Sequence, residues 1–489
     1  MHPALATVAE AARGTPFENQ LWLVGGAVRD ELLSLGEGEA SASQTDFDIV
    51  LEGDALALAR LLREKGASSI APVVYPRFGT AMVHVAGSNV ELVTARRESY
   101  EATSRKPNVE PATLYEDAQR RDFTVNTLMR NLHTGELRDP LGVGLRDLEA
   151  RVLRTPVDPS RTFYDDPLRM LRAVRFRWKL GFAPAQGLYE AIANEAYRLG
   201  SDVPSEVRRS LRTTNLQDDG RGQSASELAQ SKDVVSAERI RDEWVKMLLH
   251  PTASSAMRDL MSLGLLDQFA PEFLAMEGVD QGRYHHLDVW EHTLLVVNNL
   301  RQPRTLTLTL AALLHDIGKP STWSADYEAN IRFYGHETVG AEMAEKMLRR
   351  LKFSNEDIAP VVSLVKNHMR LGSFKEFTPT AARRLLRDMG DLLEPLFDLV
   401  EADAASLRPG VRVMDLAPIR ARVAEVSALT PATSLESPLR GNEIMAMLNL
   451  AAGPEVGRIK QAILNEVLEG RIDPGDKAAA QRFLKQQST

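Results

Sequence analysis

The first third of this chain and the remainder follow different apolar periodicities, and that division limits the possible folds more than any other feature. Residues 20–155 alternate short apolar runs with turns: LWLVGG, FDIVLEG, AMVHVAG and NVELVTA. Runs of that length bounded by turn residues predict strands, and the spacing in Ala55–Lys65 predicts a helix between them. From about residue 160 onward the apolar spacing is helical almost throughout. The fold class expected is therefore α+β, a β-sheet head followed by all-helical segments. At 489 residues the chain exceeds what one core serves, so about three or four domains are expected.

Composition narrows the setting. No apolar run approaches the roughly 20 residues needed to span a bilayer, so no membrane partner is expected. The opening MHPALATVAEAARG lacks the basic-then-apolar pattern of a secretory leader. The absence of cysteine excludes disulfides and thiolate metal sites and fits a reducing cytoplasm. A net charge of −8 is unusual for a nucleic-acid binder. Yet Arg146, Arg151, Arg154, Arg161, Arg169, Arg172, Arg175, Arg177 and Lys179 make residues 145–179 a cationic segment. A phosphate backbone would be drawn to it.

Two motifs carry chemistry in the head. LVGGAVRD at 23–30 reads as a strand entering Gly25-Gly26 and then a helix. Glycine lets backbone approach a phosphate, and the helix start offers unpaired N–H groups to an anion. Arg29, in the first turn, is expected to meet a triphosphate. In TDFDIVLEG at 45–53, Asp46 and Asp48 stand two apart on a strand, so both carboxylates share a face. Two such carboxylates repel unless a cation lies between them, and their hard oxygens suit Mg²⁺. Glu91, on the later strand NVELVTA, can add a third carboxylate or take the proton of an attacking hydroxyl.

Taken with RRDFTVNTL at 120–128, RDPLGVGLRDLEARVLRT at 138–155 and DDPLRMLRAVRFRWKLGF at 165–182, these motifs resemble the class II tRNA nucleotidyltransferases (CCA-adding enzymes) and bacterial poly(A) polymerases, in order over about residues 20–250. The resemblance implies a nucleotidyltransferase-like mixed β-sheet head at 1–155 and a helical neck at 156–275. It implies two-metal nucleotidyl transfer, template-independent addition of CMP and AMP from CTP and ATP to a tRNA 3′ end, and Mg²⁺ held by Asp46 and Asp48. Gly26, Arg29, Arg121, Arg172 and Arg175 would bind the nucleotide, with Asp122 orienting arginines. The polar, Pro-containing stretch 95–119 reads as a loop, the kind the family needs to switch from CTP to ATP.

In DDPLRMLRAVRF, Pro167 suits a helix's first turn. Steps of three residues turn a helix by about 300°, so Asp166, Arg169 and Arg172 can share a pocket while Arg175 points away, toward a phosphate or the tRNA. A carboxylate accepts from an exocyclic amine and an arginine donates to a ring nitrogen or carbonyl, which suits C and A. The resemblance assigns Asp166 and Arg169 that base-reading role. Where the family usually has Glu this chain has Asp165. SAERIRDEWVKMLL at 236–249 resembles a family helix, and its Glu238, Arg239 and Glu243 are expected to help orient the base-reading helix.

Residues 213–235 are polar and rich in Gly, Ser and Gln, and read as an insertion. Six of the ten histidines fall within 285–368. His292 in HHLDVWEH, His315-Asp316 in ALLHDIGKP, then His336, His368 and Asp403 resemble the HD-domain metallophosphohydrolases. That resemblance makes His292, His315, Asp316 and Asp403 the ligands of a divalent ion that activates water against a phosphate ester. Imidazole beside carboxylate suits Ni²⁺, Mn²⁺, Co²⁺ or Fe²⁺. This HD domain would occupy 276–410 and a helical tail 411–489. Three alternatives share these motifs: a poly(A) polymerase, a CC- or A-adding specialist, and an HD phosphohydrolase or regulator whose head only binds nucleotide.

Overall fold

The computed structural model describes residues 1–37, 46–99, 108–200, 235–282, 284–326, 330–373, 376–411, 415–429 and 435–487. The chain divides into two compact units, Met1–Pro271 and Glu272–Thr489. The insertion expected at 213–235 lies outside the described residues except for Val235.

The first unit opens with helix α1 (Pro3–Ala12), followed by strand β1 (Trp22–Val24), helix α2 (Gly26–Glu37), β2 (Asp46–Leu51), α3 (Ala55–Glu64), β3 (Val73–Tyr75), β4 (Thr80–Val85) and β5 (Ser88–Thr94). With β8 (Met129–Asn131) and β9 (Leu137–Arg138), the strands form one seven-stranded sheet ordered β3-β4-β5-β2-β1-β8-β9. The β2–β5 pair is parallel and the other pairs are antiparallel, so the sheet is mixed as expected. Ile49, Val50, Leu51, Val90 and Leu92 are fully buried at its centre. The amphipathic α3 buries Leu58, Ala59 and Leu62 and is capped by Asp54, whose carboxylate accepts from the N–H groups of Leu56 and Ala57.

The stretch 95–119 is not simply a loop. It contains β6 (Arg96–Ser99) paired antiparallel with β7 (Asn108–Pro111), and then helix α4 (Leu114–Gln119). Residues 100–107 between the strands lie outside the described residues. Polar composition concealed the hairpin, because neither strand has an alternating apolar face to reveal it. The start of α4 is set by a reciprocal cap in which Thr113 and Glu116 satisfy each other's backbone N–H groups.

Helices α5 (Gly144–Glu149), α6 (Pro159–Asp165), α7 (Leu168–Leu180), α8 (Leu188–Glu195), α9 (Ala237–Leu248) and α10 (Ala253–Ser262) follow. Helix α7 buries Leu171, Val174 and Phe176 and packs against α9 and α10. It ends at Gly181, whose φ of +67 supplies the left-handed residue that closes a helix.

Among the described residues, the regular structure of the second unit is helical apart from one short hairpin, Trp323–Ala325 with Ile331–Phe333. Its core is built around α11 (Val289–Asn299), α12 (Leu306–Leu314), α13 (His336–Arg350), α14 (Asn355–Asn367), α15 (Pro379–Met389) and α16 (Leu393–Ala404). The α12 run Leu308–Leu314 is entirely buried, which makes it the central helix of this unit. Helix α17 (Ala417–Leu429) packs on α15, and three further helices end the chain. Among the described residues no helix is long and apolar enough to cross a membrane.

Candidate functional site

In β2 the pleat turns Asp46 and Asp48 to one exposed face and buries Phe47 on the other. Glu91 stands directly across from Asp48 in the parallel β2–β5 register, and Val24 stands across from Asp48 on the opposite side. The chain leaves β1 through Gly25, whose φ is +82 and where an added Cβ would lie 3.5 Å from Asp48 Oδ2. A side chain here would be strained by the positive φ, while its Cβ would make only ordinary contact with the carboxylate. The sequence reading settled on Gly26; the backbone geometry makes Gly25 the more constrained of the pair.

The charges around these carboxylates are unbalanced. Desolvation raises the Asp48 carboxyl above its ordinary range, Arg121 opposes that, and Asp46 adds to it. Burial and the nearby Asp48 likewise raise Glu91, against Arg96 and Arg121. Asp46, Asp48 and Glu91 lie on one face of two adjacent strands, and their hard oxygens are donors that fit a divalent cation.

Arg121 is held beside them by Asp117, a buried carboxylate that accepts from Arg121 Nε at 3.0 Å and from Arg120 Nη2 at 2.5 Å. Burial alone would raise Asp117, but Arg121 and Arg120 hold its carboxyl below the usual range. Asp117 escaped the sequence reading because it sits on α4, inside the stretch taken as a loop.

The remaining arginines assigned to the nucleotide behave differently from expectation. Arg29 is only 2% exposed. It donates to Asn126 Oδ1 at 2.6 Å and to Asp30 Oδ1 at 2.7 Å. It is turned inward and does not meet solvent from the first turn of α2. Asn126 in turn donates to Asp122, which pairs with Arg172 at 2.5 Å. Burial works against this carboxylate, but Arg172 and Asn126 bring its pKa down to about 2. Arg175 does not reach outward either, since it pairs with buried Glu243 of α9 at 2.5 Å, and Arg172 touches the same carboxylate at 3.5 Å. Glu243 thus ties α9 to α7, as expected. The guanidinium carbons of Arg29, Arg172 and Arg175 all lie within 5.3 Å of the Phe176 ring centre, a spacing at which cations are attracted to the ring. The cationic segment 145–179 is accordingly no single solvent face: Arg154 is bound by Asp147 and Arg177 by Asp259, while Arg146, Arg151, Arg161 and Lys179 are exposed.

Asp166 and Arg169 stand at the start of α7, where the Arg169 N–H donates to the Asp166 carbonyl at 3.0 Å, and their side chains take different partners. Asp166 Oδ1 caps the helix through the Leu168 N–H at 3.1 Å, and Oδ2 accepts from Arg239 at 2.9 Å. Arg169 is buried and donates to the carbonyls of Thr162 and Arg120. A guanidinium has five N–H donors, so those two bonds orient Arg169 and leave others to donate.

The second unit gathers a separate polar centre. His292 comes from α11, His315 and Asp316 from the turn after α12, His336 from the start of α13, His368 from the end of α14 and Asp403 from α16. His292 Nε2 lies 3.0 Å from Asp403 Oδ1 and 3.7 Å from Asp316 Oδ2, and His315 Nε2 lies 3.1 Å from Asp316 Oδ2. His336 Nε2 and His368 Nε2 approach the other oxygen, Asp316 Oδ1, at 3.4 and 4.0 Å. Lys319 Nζ contacts Asp316 Oδ2 at 2.6 Å and donates to Gln281. Gly318 permits this packing: a Cβ there would stand 2.3 Å from the His336 carbonyl oxygen. Burial alone would depress His315, but Asp316 outweighs it and the net effect is upward. Asp316 is driven well below the carboxylate range, by His315 and Lys319 against burial. Burial takes His368 down to about 4, so its ring is neutral at neutral pH. The sequence reading noticed His336 and His368 but left them out of the ligand set. A cleft of about 470 Å³ lined by Asp280, His285, His286, Asp288 and Arg408 adjoins His285, whose ring packs edge-on against His292.

Three family models match the chain: a poly A polymerase head domain at residues 21–154, a probable RNA and SrmB-binding site of polymerase A at 223–276, and an HD domain at 283–409. The A-adding tRNA nucleotidyltransferase of Deinococcus radiodurans is 33% identical over 474 residues, 95% of each chain. This chain belongs to the tRNA nucleotidyltransferase family. The CC-adding tRNA nucleotidyltransferase of Thermus thermophilus is 35% identical over 76% of this chain and 77% of its own length. The fold is shared with the Bacillus stearothermophilus CCA-adding enzyme in complex with CTP, at a TM-score of 0.63 and 22% identity over 100% of this chain and 98% of that one. Membership of the tRNA nucleotidyltransferase family, with an HD domain attached, implies the use of divalent metal.

Proposed function

We propose that this chain adds CMP and AMP to the 3′ end of tRNA without a nucleic-acid template, from CTP and ATP, in the cytoplasm. The observation that carries this reading is the convergence of Asp46, Asp48 and Glu91 beside Gly25 and Arg121, in a chain aligned over 95% of its length with an A-adding tRNA nucleotidyltransferase. Asp46 and Asp48 would hold Mg²⁺, for which carboxylate oxygens are suitable donors. Such an ion supplies positive charge beside the α-phosphate and acidifies a nearby hydroxyl. Glu91, held above the ordinary carboxylate range, takes the proton of the 3′-hydroxyl as that oxygen bonds to the α-phosphorus. The bond from that phosphorus to the bridging oxygen breaks, and pyrophosphate leaves. Arg121, fixed by Asp117, faces the phosphate charge. Asp166 exchanges Arg239 for the exocyclic amine of C or A, while Arg169 donates to the ring edge. Arg29, Arg172 and Arg175 position these groups from within. The HD centre would take Ni²⁺, Mn²⁺, Co²⁺ or Fe²⁺ and hydrolyse a phosphate ester.

Purified protein given tRNAs ending before CCA, after C and after CC, with each nucleotide separately, tests the assignment. C addition to the first two and A addition to the third is expected. Open-ended A addition to any RNA would replace the reading with poly(A) polymerase. A second reading, an A-adding specialist, is favoured by the fuller alignment with the A-adding relative. It predicts extension of the third tRNA alone.

A further inference from the structure

We propose that Glu52 is a positioning residue for nucleotide addition: by anchoring the start of α4 to the end of β2, it sets Arg121 and Arg169 in register with Asp46 and Asp48. This rests on the reading of the first unit as a nucleotidyltransferase.

Glu52 directly follows β2, the strand that carries Asp46 and Asp48. It is exposed, yet its Oε1 accepts from the Leu114 N–H at 2.7 Å, across 62 residues of sequence. Leu114 is the first residue of α4, and the initial N–H groups of a helix have no partner within it. A carboxylate placed there is also favoured by the helix dipole. Helix α4 has six residues, too few to be stable alone in water. Its place is therefore set from outside. Leu114 and Ala118 are buried in a cluster with Trp22, Val50 and Met129. Apolar burial is non-directional and lets a helix slide, whereas a hydrogen bond fixes one atom against another. The Ala112 N–H, bonded to the Ala95 carbonyl at 2.8 Å, guides the chain towards the helix, but Glu52 holds the helix itself.

Two guanidinium groups depend on that register. Asp117 of α4 accepts from Arg121 Nε at 3.0 Å and Nη2 at 2.9 Å, and Arg121 acts on the charge of both Asp48 and Glu91. Arg120 closes α4, and its carbonyl accepts from Arg169 Nη2. One short helix thus orients the arginine that faces the phosphates and the arginine that faces the base. Strand β2 presents Asp46 and Asp48 near its start, and the anchor of that helix follows its end, about 13 Å beyond Asp48. Without Glu52 the Leu114 N–H loses its partner, and α4 is free to shift along the sheet and take both arginines with it.

The test measures steady-state addition by the full chain to tRNAs lacking terminal nucleotides, with CTP, ATP, GTP and UTP in turn. Glu52→Ala should raise KM for CTP and ATP about fivefold and lower the preference for them over GTP and UTP about fivefold, with kcat and the KM for tRNA within about twofold of the parent. Glu52→Gln keeps a carbonyl oxygen that can accept, and should restore all of these to within about twofold. Variants are compared at a temperature where their melting curves show folded protein. If Glu52→Ala does not fold, Glu52→Asp, shorter by one methylene, carries the same expectation. Unchanged nucleotide KM and selectivity in the folded variant overturn the proposal and leave the reading of the first unit intact. So does an equal rise in the KM for tRNA, which would mark a general loss of structure. Glu52→Gln as impaired as Glu52→Ala also overturns it, because charge and not the anchoring bond would then matter. A parent that adds neither CMP nor AMP overturns both the proposal and the reading beneath it.

Discussion

The two polar centres solve opposite problems. In the head, Asp46 and Asp48 project from an exposed strand face, and their immediate supports are arginines on neighbouring elements. In the second unit, His292, His315, Asp316, His336 and His368 are all buried, and three of the imidazoles are pinned to backbone carbonyls. An open carboxylate face suits an ion that arrives and leaves with a triphosphate. A buried imidazole cage suits an ion that stays. The difference teaches that burial and ligand hardness set two polar centres of one chain apart: hard carboxylates on an open face in the head, imidazoles enclosed in the second unit.

Four changes would break or sharpen that contrast. Asp48→Ala should lower nucleotide addition by on the order of 10³-fold or more, because no other side chain replaces its position in the β2–β5 register. Metal retention by the second unit should be unchanged, as read by elemental analysis; loss at both centres would mean they are not independent. His315→Ala should weaken metal retention about 100-fold and leave addition within about twofold. Addition falling in step with the metal would contradict the division of labour.

Asp122→Asn addresses the supports. Its folded pKa of about 2 lies below the ordinary 3.8, so the charged form stabilises the fold at neutral pH. That contribution is fully present above about pH 4 and is lost as pH falls through about 2, and it amounts to about 2 kcal/mol. Denaturant titrations across that range should show the variant weaker at neutral pH and the gap closing on acidification. A pH-independent gap would mean that packing, not charge, is what Asp122 supplies. The smallest effect is expected at Arg239→Ala, which frees Asp166. A shift of a few-fold in KM for CTP or ATP with little change in kcat should follow, measured by steady-state addition, because the lost contact precedes base binding. An unchanged KM for both nucleotides would argue that Arg239 does not compete for that carboxylate.

What could be read from the sequence follows from the range of each signal. The shared face of Asp46 and Asp48 needs only the two-residue strand period, and it is present. The strands of the head and the helical remainder follow from local periodicity, whereas the mixed pairing of those strands is non-local and came from the family resemblance. Arg29 and Arg175 were turned the wrong way because their partners, Asn126 and Glu243, lie 97 and 68 residues away. Nothing in a helix's own spacing says that a buried acid waits on another helix. Asp117 was hidden by polar surroundings that mask α4 and its neighbouring hairpin. His336 and His368 were visible as histidines, but their opposition across Asp316 depends on Gly318 admitting the start of α13, which no local pattern encodes.

The chain of contacts from Asp30 through Arg29, Asn126, Asp122, Arg172 and Glu243 to Arg175 constrains how this sequence can drift. Each polar group in it is bonded to the next, with Arg29, Asn126, Asp122 and Glu243 buried and Asp30 and Arg172 partly exposed. Replacing one member strands its neighbour, at a cost of about 3–5 kcal/mol for a buried pair. Single changes there are costly, whereas compensated changes on α7 and α9 together cost less. Descendants of this sequence should therefore differ at these positions in matched sets or not at all.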